Sequence, residues 1–180
     1  MTSAYRFILP ALALFACLDS FPQSNGQKRP ILEEIKRKFQ QINTASDYQL
    51  VKLEDAVQII GHATDGGATL TGYFKNDTLK KIVEWVGLSN RIVQNEYYLD
   101  KGDLVFVYST EKQYAYNDSL QTLDYAVLVP SFQGRYYFKG SKLIDSLLSP
   151  KRLTQSATED AAPYLNRTKD YVLLLARKKN

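Results

Sequence analysis

One seven-residue unit occurs three times in this chain and constrains its fold more than any other feature. Each copy has a tyrosine, an apolar neighbour, four positions that suit a turn, and a leucine. The copies are YFKNDTL at 73–79, YLDKGDL at 98–104 and YFKGSKL at 137–143. Aromatic residues favour strands, and short segments rich in Asn, Asp and Gly connect antiparallel strands. The unit therefore predicts that the same β-hairpin occurs three times in the fold.

The stretch from Gly67 to Ser109 contains the first two copies and predicts four consecutive strands. Aromatic and β-branched runs cover 70–74, 79–86, 92–99 and 104–109. The connections between these runs are too short for the long crossover that parallel strands need. We therefore expect antiparallel neighbours in sequence order. One or two further strands are predicted before this stretch, around 48–53 and at 57–60. Residues 117–130 indicate either a long loop or an irregular strand around 125–129.

A helix is predicted at each end of this sheet region. Pro30 suits a first helical position, and apolar residues follow it at helical spacing: Ile31, Ile35, Phe39 and Ile42. This stripe fits core packing, with a partner-binding face as the alternative. The C-terminal stripe consists of Ala161, Tyr164, Leu165, Thr168, Tyr171, Val172 and Leu175. Residues 171–176 also fit a buried strand.

These elements predict an α+β fold. We expect an antiparallel β-meander of about 5–7 strands with an N-terminal and a C-terminal helix packed on it. A length of 180 residues suits one domain, which we place at residues 30–180.

The N-terminus is typical of an exported protein. Arg6 precedes a short apolar run, 7–17, which is too short to span a bilayer and predicts a signal peptide at residues 1–16. The run ends in Leu14-Phe15-Ala16-Cys17, which resembles the lipobox of bacterial lipoproteins, although Phe15 is larger than usual. The resemblance implies that Cys17 is lipidated and becomes the first mature residue. The alternative is an ordinary signal peptide that is cleaved after this cysteine.

Two further features agree with export to the bacterial cell envelope, as a periplasmic or outer-membrane lipoprotein. Cys17 is the only cysteine, so no intramolecular disulfide can form. Residues 18–29 are rich in polar residues, Pro and Gly, and this composition predicts a flexible tether between a membrane anchor and the domain.

The sequence lacks the residues that several functional classes require. The net charge of +4 is modest and its basic residues are dispersed, which disfavours a nucleic-acid partner. His62 is the only histidine, so we expect no metal site, and no cofactor-binding fingerprint is present. Acid pairs such as Glu54-Asp55 and Glu159-Asp160 keep a carboxylate-dependent envelope hydrolase as an alternative.

The thirteen tyrosines suggest a binding surface. Tyr73, Tyr98 and Tyr137 start the three hairpin units, and their rings could stack on a sugar or a peptide from an open sheet face. The alternative is that they form cross-strand pairs in the core. We predict a non-enzymatic binding or scaffold module for a protein or glycan partner.

Most of the chain after Arg29 resembles a group of exported, lipoprotein-type proteins of Bacteroidota. The matching residues are Gly66-Gly67, Gly72-Tyr73-Phe74, Leu79-Lys80-Lys81-Ile82, and Tyr97-Tyr98 with Gly102, Leu104, Phe106 and Val107. The resemblance implies a leading helix and antiparallel hairpins, and it brings no activity or catalytic residue. The segments 77–79, 118–120 and 145–147 have the form D-[S/T]-L, which is similar to the O-glycan acceptor motif of such proteins. Turn formation also explains these residues.

Overall fold

The computed structural model of the chain describes residues 25–150 and 157–179. Its elements in order are α1 (Asn25–Thr44), β1 (Gln49–Leu53), α2 (Ala56–Ile60), β2 (Ala68–Lys75), β3 (Thr78–Gly87), β4 (Arg91–Asp100), β5 (Asp103–Asn117), β6 (Thr122–Lys139), β7 (Lys142–Ser149) and α3 (Ala157–Lys179). The seven strands form one open antiparallel sheet in the order β1 to β7. The predicted α+β meander with two terminal helices is therefore confirmed.

The repeated unit forms the same hairpin at each of its three positions. The two central turn residues have positive φ in every copy, as type I′ turns require: Asn76 and Asp77, Lys101 and Gly102, Gly140 and Ser141. The pairing register shifts between the tyrosine and its apolar neighbour in every copy, which marks a β-bulge. The apolar neighbour then pairs with the leucine of the unit.

The two long helices pack on opposite faces of the sheet. Successive residues in a strand point to opposite sides, so Tyr97 and Tyr98 belong to different cores. Tyr97 packs in one core with Tyr171 of α3, and Tyr98 packs in the other with Ile35 of α1. The larger core also contains Val51, Leu53, Leu70, Phe74, Ile82, Leu99, Val107, Phe138 and Leu175.

The structure changes two element assignments and decides one alternative. α1 begins at Asn25, so residues 25–29 are helical rather than tether, and Pro30 lies inside the helix. Residues 56–60, predicted as a strand, form the short helix α2, with the Asp55 side chain accepting from the Gln58 amide and Gly61 in the left-handed region. The C-terminal segment is helical through Lys179, so the strand alternative is wrong.

The glycine pair before the meander makes a close backbone contact. The Gly66 amide donates to the Gly87 carbonyl at 3.1 Å, and the Gly87 amide donates to the Gly67 carbonyl at 2.9 Å. A Cβ added to Gly66 would lie 2.7 Å from the Gly87 Cα, so a larger residue would force the two segments apart. This contact explains the Asp65-Gly66-Gly67 turn without a ligand.

Strands β5 and β6 extend beyond their neighbours. The pairing of β4 with β5 ends at Arg91 and Gln113, and that of β6 with β7 ends at Gln133 and Ser149. Residues 114–129 therefore form a two-stranded projection, called here the arm. Its pairing is irregular, because the register passes from Tyr114–Leu128 to Ala115–Asp124. Of the two alternatives for residues 117–130, a long loop or an irregular strand, the structure shows the irregular strand.

Candidate functional site

The three predicted tyrosines lie in one row across the sheet. Tyr73 pairs with Lys81, Lys81 with Tyr98, Tyr98 with Phe106, and Phe106 with Tyr137. The row lies next to the bulges of the three hairpins, on the face that α1 covers. The repeated sequence unit therefore places its tyrosines side by side.

Helix α1 closes most of this row. Tyr98 is 1% exposed and Tyr137 is 6% exposed, while Tyr73 is half-buried. The Phe39 ring of α1 lies 5.0 Å from the Tyr98 ring and 5.4 Å from the Phe106 ring. A ligand could stack on the Tyr98 ring only after α1 had moved away.

A polar network surrounds the hydroxyl group of Tyr98. Asn43 of α1 donates to this hydroxyl at 3.0 Å, and the hydroxyl donates to Glu96, which also pairs with Lys81 at 2.8 Å. Burial raises the pKa of Tyr98 far above its usual value. Burial also raises the pKa of Glu96, but hydrogen bonds from Lys81 and Tyr98 outweigh this effect and leave that pKa below its usual value. The network joins α1 to the sheet.

The opposite face contains a fully buried carboxylate. Glu84 of β3 accepts hydrogen bonds from Asn95 and Tyr97 at 2.8 Å each and from Tyr171 of α3 at 2.6 Å, and Arg167 lies 3.3 Å from it. Burial is the first cause that raises the pKa values of Tyr97 and Tyr171, and the Glu84 charge adds to it. Both carboxylate oxygens are occupied, so this cluster is a joint between α3 and the sheet.

The hydrolase alternative relied on two acid pairs, and both acids of the described pair have structural roles. Asp55 caps α2, and Glu54 forms an ion pair with Lys52. The side chains of Glu159 and Asp160 lie outside the described ones. His62 is exposed after α2. Across residues 25–150 and 157–179, no three His, Cys, Asp or Glu side chains come together as a possible metal site.

The arm is the largest concentration of exposed apolar side chains in the described chain. Six of the ten exposed large hydrophobic residues lie on it: Tyr116, Leu120, Tyr125, Val127, Leu128 and Val129. They are 38–71% exposed. Soluble proteins seldom expose contiguous apolar patches unless these bind something. The arm therefore carries the best candidate interaction surface.

One edge of the arm also presents unpaired backbone. β7 ends at Ser149, which pairs with Gln133, so no described strand pairs with residues 122–132 of β6 from that side. An exposed strand edge is a template for an added strand. The sequence feature that indicates this exposed surface is the uncharged run 125–129, which lacks the alternation of a half-buried strand.

The remaining predicted features can be placed as follows. Cys17 and the predicted signal peptide lie outside the described residues. In the D-[S/T]-L segments, Thr78 and Ser119 are exposed and Ser146 is half-buried. None of the described helices is long and apolar enough to cross a membrane.

Comparisons with known proteins gave no relative for this chain. A scan against protein-family models, a search of curated proteins and a search of solved structures each returned no significant match.

Proposed function

We propose that the chain is an exported, lipid-anchored protein of the bacterial cell envelope that acts as a non-enzymatic binding module. The observation that carries the binding part is the exposed apolar arm, residues 114–129. The lipobox-like sequence ending at Cys17 supports the anchor. Residues 18–24 then connect the anchor to α1, which begins at Asn25.

The proposed partner of the arm is a protein. The β6 edge offers backbone donors and acceptors within 122–132, except that Pro130 has no N–H and the Ala126 amide donates to Asp124. An extended segment of another protein can pair with such an edge. Aliphatic side chains at 127–129 flank this edge and suit apolar side chains of an added strand. A glycan would instead need flat aromatic platforms, and the Tyr125 ring already packs at 4.9 Å against Tyr114.

The charge of the arm limits the kind of partner surface that it can bind. Between residues 114 and 129 the only charged side chains are Asp118 and Asp124. Asp118 lies at the tip beside the exposed Leu120, so inserting the tip into a bilayer would bury a carboxylate. The arm therefore suits a protein whose apolar strip is bordered by lysine or arginine.

Site-specific photocrosslinking in cells tests this proposal. A photoreactive residue at Val127 should give one dominant adduct with an envelope protein. The matched control is the same residue at Leu173 of α3, which is also exposed, at 58%. A Val127→Lys change should abolish capture of that protein, whereas Leu173→Lys should leave capture intact.

Two results would contradict the proposal. Equal adduct patterns from positions 127 and 173 would show that the arm has no preferred partner. Unchanged membrane association of Cys17→Ser would show that Cys17 does not anchor the chain.

A further inference from the structure

A groove lies between α1 and the sheet, at the end of the tyrosine row. It has a volume of about 400 Å³, within the range of roughly 300–1,000 Å³ that is usual for small-molecule sites. Its floor consists of two cross-strand pairs, Phe106 with Tyr137 and Tyr108 with Arg135. The groove is thus built on adjacent pairs of β5 and β6.

Helix α1 contributes two apolar residues to the groove and two polar ones, Lys36 and Gln40. Ile35 and Phe39 face the groove, and together with Phe106 and Tyr137 they give it an aliphatic and aromatic lining. Phe106 packs against Tyr137 at 5.0 Å and against Phe39 at 5.4 Å, so these rings hold each other in place. Such a lining favours a hydrocarbon chain, because burial of apolar surface is the dominant source of affinity there.

The charged residues of the groove are both basic. Arg135 lies 5.6 Å from the centre of the Tyr108 ring, which holds the guanidinium beside the apolar floor. Among the described residues, this guanidinium forms no ion pair with a carboxylate. Lys36 lies at the rim and pairs with the exposed Glu33 at 2.9 Å, and none of the described residues that line the groove is acidic.

We propose that this groove binds a long-chain carboxylate such as a fatty acid. The hydrocarbon chain lies between α1 and the β5–β6 floor, and the carboxylate accepts two hydrogen bonds from Arg135. A guanidinium fork matches a carboxylate in this bidentate way. The site is separate from the arm and goes beyond the proposed function.

Titration calorimetry with dodecanoate below its micellar concentration tests this site. The full chain with Cys17→Ser avoids the need for detergent. Dodecanoate should bind at one site, whereas dodecan-1-ol, which lacks the charge, and acetate, which lacks the chain, should bind at least about 10-fold more weakly. Equal binding of dodecan-1-ol, or no binding of dodecanoate, would overturn the proposal.

Substitutions of Arg135 test whether this residue binds the carboxylate of dodecanoate. Arg135→Gln should weaken dodecanoate binding by about 10-fold or more, and Arg135→Lys, which keeps the charge without the fork, should lose less. The matched control is Arg37→Gln, because Arg37 is exposed on α1 and does not line the groove. Equal losses from Arg37→Gln and Arg135→Gln would overturn the assignment. Val127→Lys in the arm should leave dodecanoate binding unchanged, which separates this test from the test of the arm.

Discussion

Two groups of tyrosines occupy strands of the same sheet and have opposite environments. Tyr98, in the hairpin row, is 1% exposed beneath α1, whereas Tyr125, in the arm, is 64% exposed. The two residues are of one type and both lie in antiparallel strands. Their difference comes from coverage, because the helices pack on the seven-stranded body and β5 and β6 continue past it. Whether a strand tyrosine supports the fold or is free to bind is thus decided by the neighbouring layer.

The largest expected effect of this difference is on stability. Tyr98→Ala removes a buried ring and should lower the free energy of unfolding by about 3–5 kcal/mol, as aromatic-to-alanine changes in cores do. Tyr125→Ala is the matched change in the arm; it removes only the ring contact with Tyr114 and should cost no more than about 1.5 kcal/mol. Urea unfolding followed by circular dichroism measures both values. Similar losses at the two positions would break the comparison.

A smaller effect is expected at alkaline pH. Burial raises the pKa values of Tyr97, Tyr98 and Tyr171 above the usual value of 10.0. The folded state keeps these protons while the unfolded state loses them, so the stabilisation is complete below pH 10 and declines as pH rises above it.

Each such phenol should account for about 1 kcal/mol of lost stability between pH 8 and pH 11. The measurement is the free energy of unfolding at both pH values. Tyr98→Phe has one phenol fewer and should lose correspondingly less between them. An equal loss in Tyr98→Phe and the parent chain would contradict the assigned cause.

The smallest expected effect concerns the apolar residues of the arm. Val127→Lys places a charge on a side chain that is already 46% exposed, so the free energy of unfolding should change by no more than about 0.5 kcal/mol. Solubility should rise, because the change interrupts an uncharged β-prone run at an open edge. Sedimentation and urea unfolding check the two quantities. A loss of several kcal/mol would mean that the arm is part of the core.

The local parts of this architecture were predictable from sequence. The repeated unit specifies a turn and its two flanking strands within seven residues, so its consequence does not depend on distant contacts. The stripes at Ile35 and Tyr171 similarly predicted the helices. At 57–60 the apolar run alone was ambiguous, and the decisive signals were the Asp55 cap and the Gly61 stop on either side of it.

The burial of each side chain was harder to predict from the sequence. Adjacent pairs such as Tyr97-Tyr98 and Tyr136-Tyr137 place large rings on both faces of the sheet, and this signal indicates that both faces are covered. Which residues lie under α1 depends on how the helix crosses the strands, and this is set by contacts between residues far apart in the chain. The extent of the arm depends on where β4 and β7 end, so it too could not be read from residues 114–129 alone.

The strand order has a consequence for how the chain folds. Every strand pairs with the strand next to it in sequence. Except for the β1–β2 connection, which contains α2, each pairing closes only a short loop and loses little chain entropy. Sheets with such local contacts fold faster than sheets that join distant segments. We therefore expect folding to proceed hairpin by hairpin, with α1 and α3 docking last. For the exported protein that we propose, we expect the sheet to assemble strand by strand in the order of the chain.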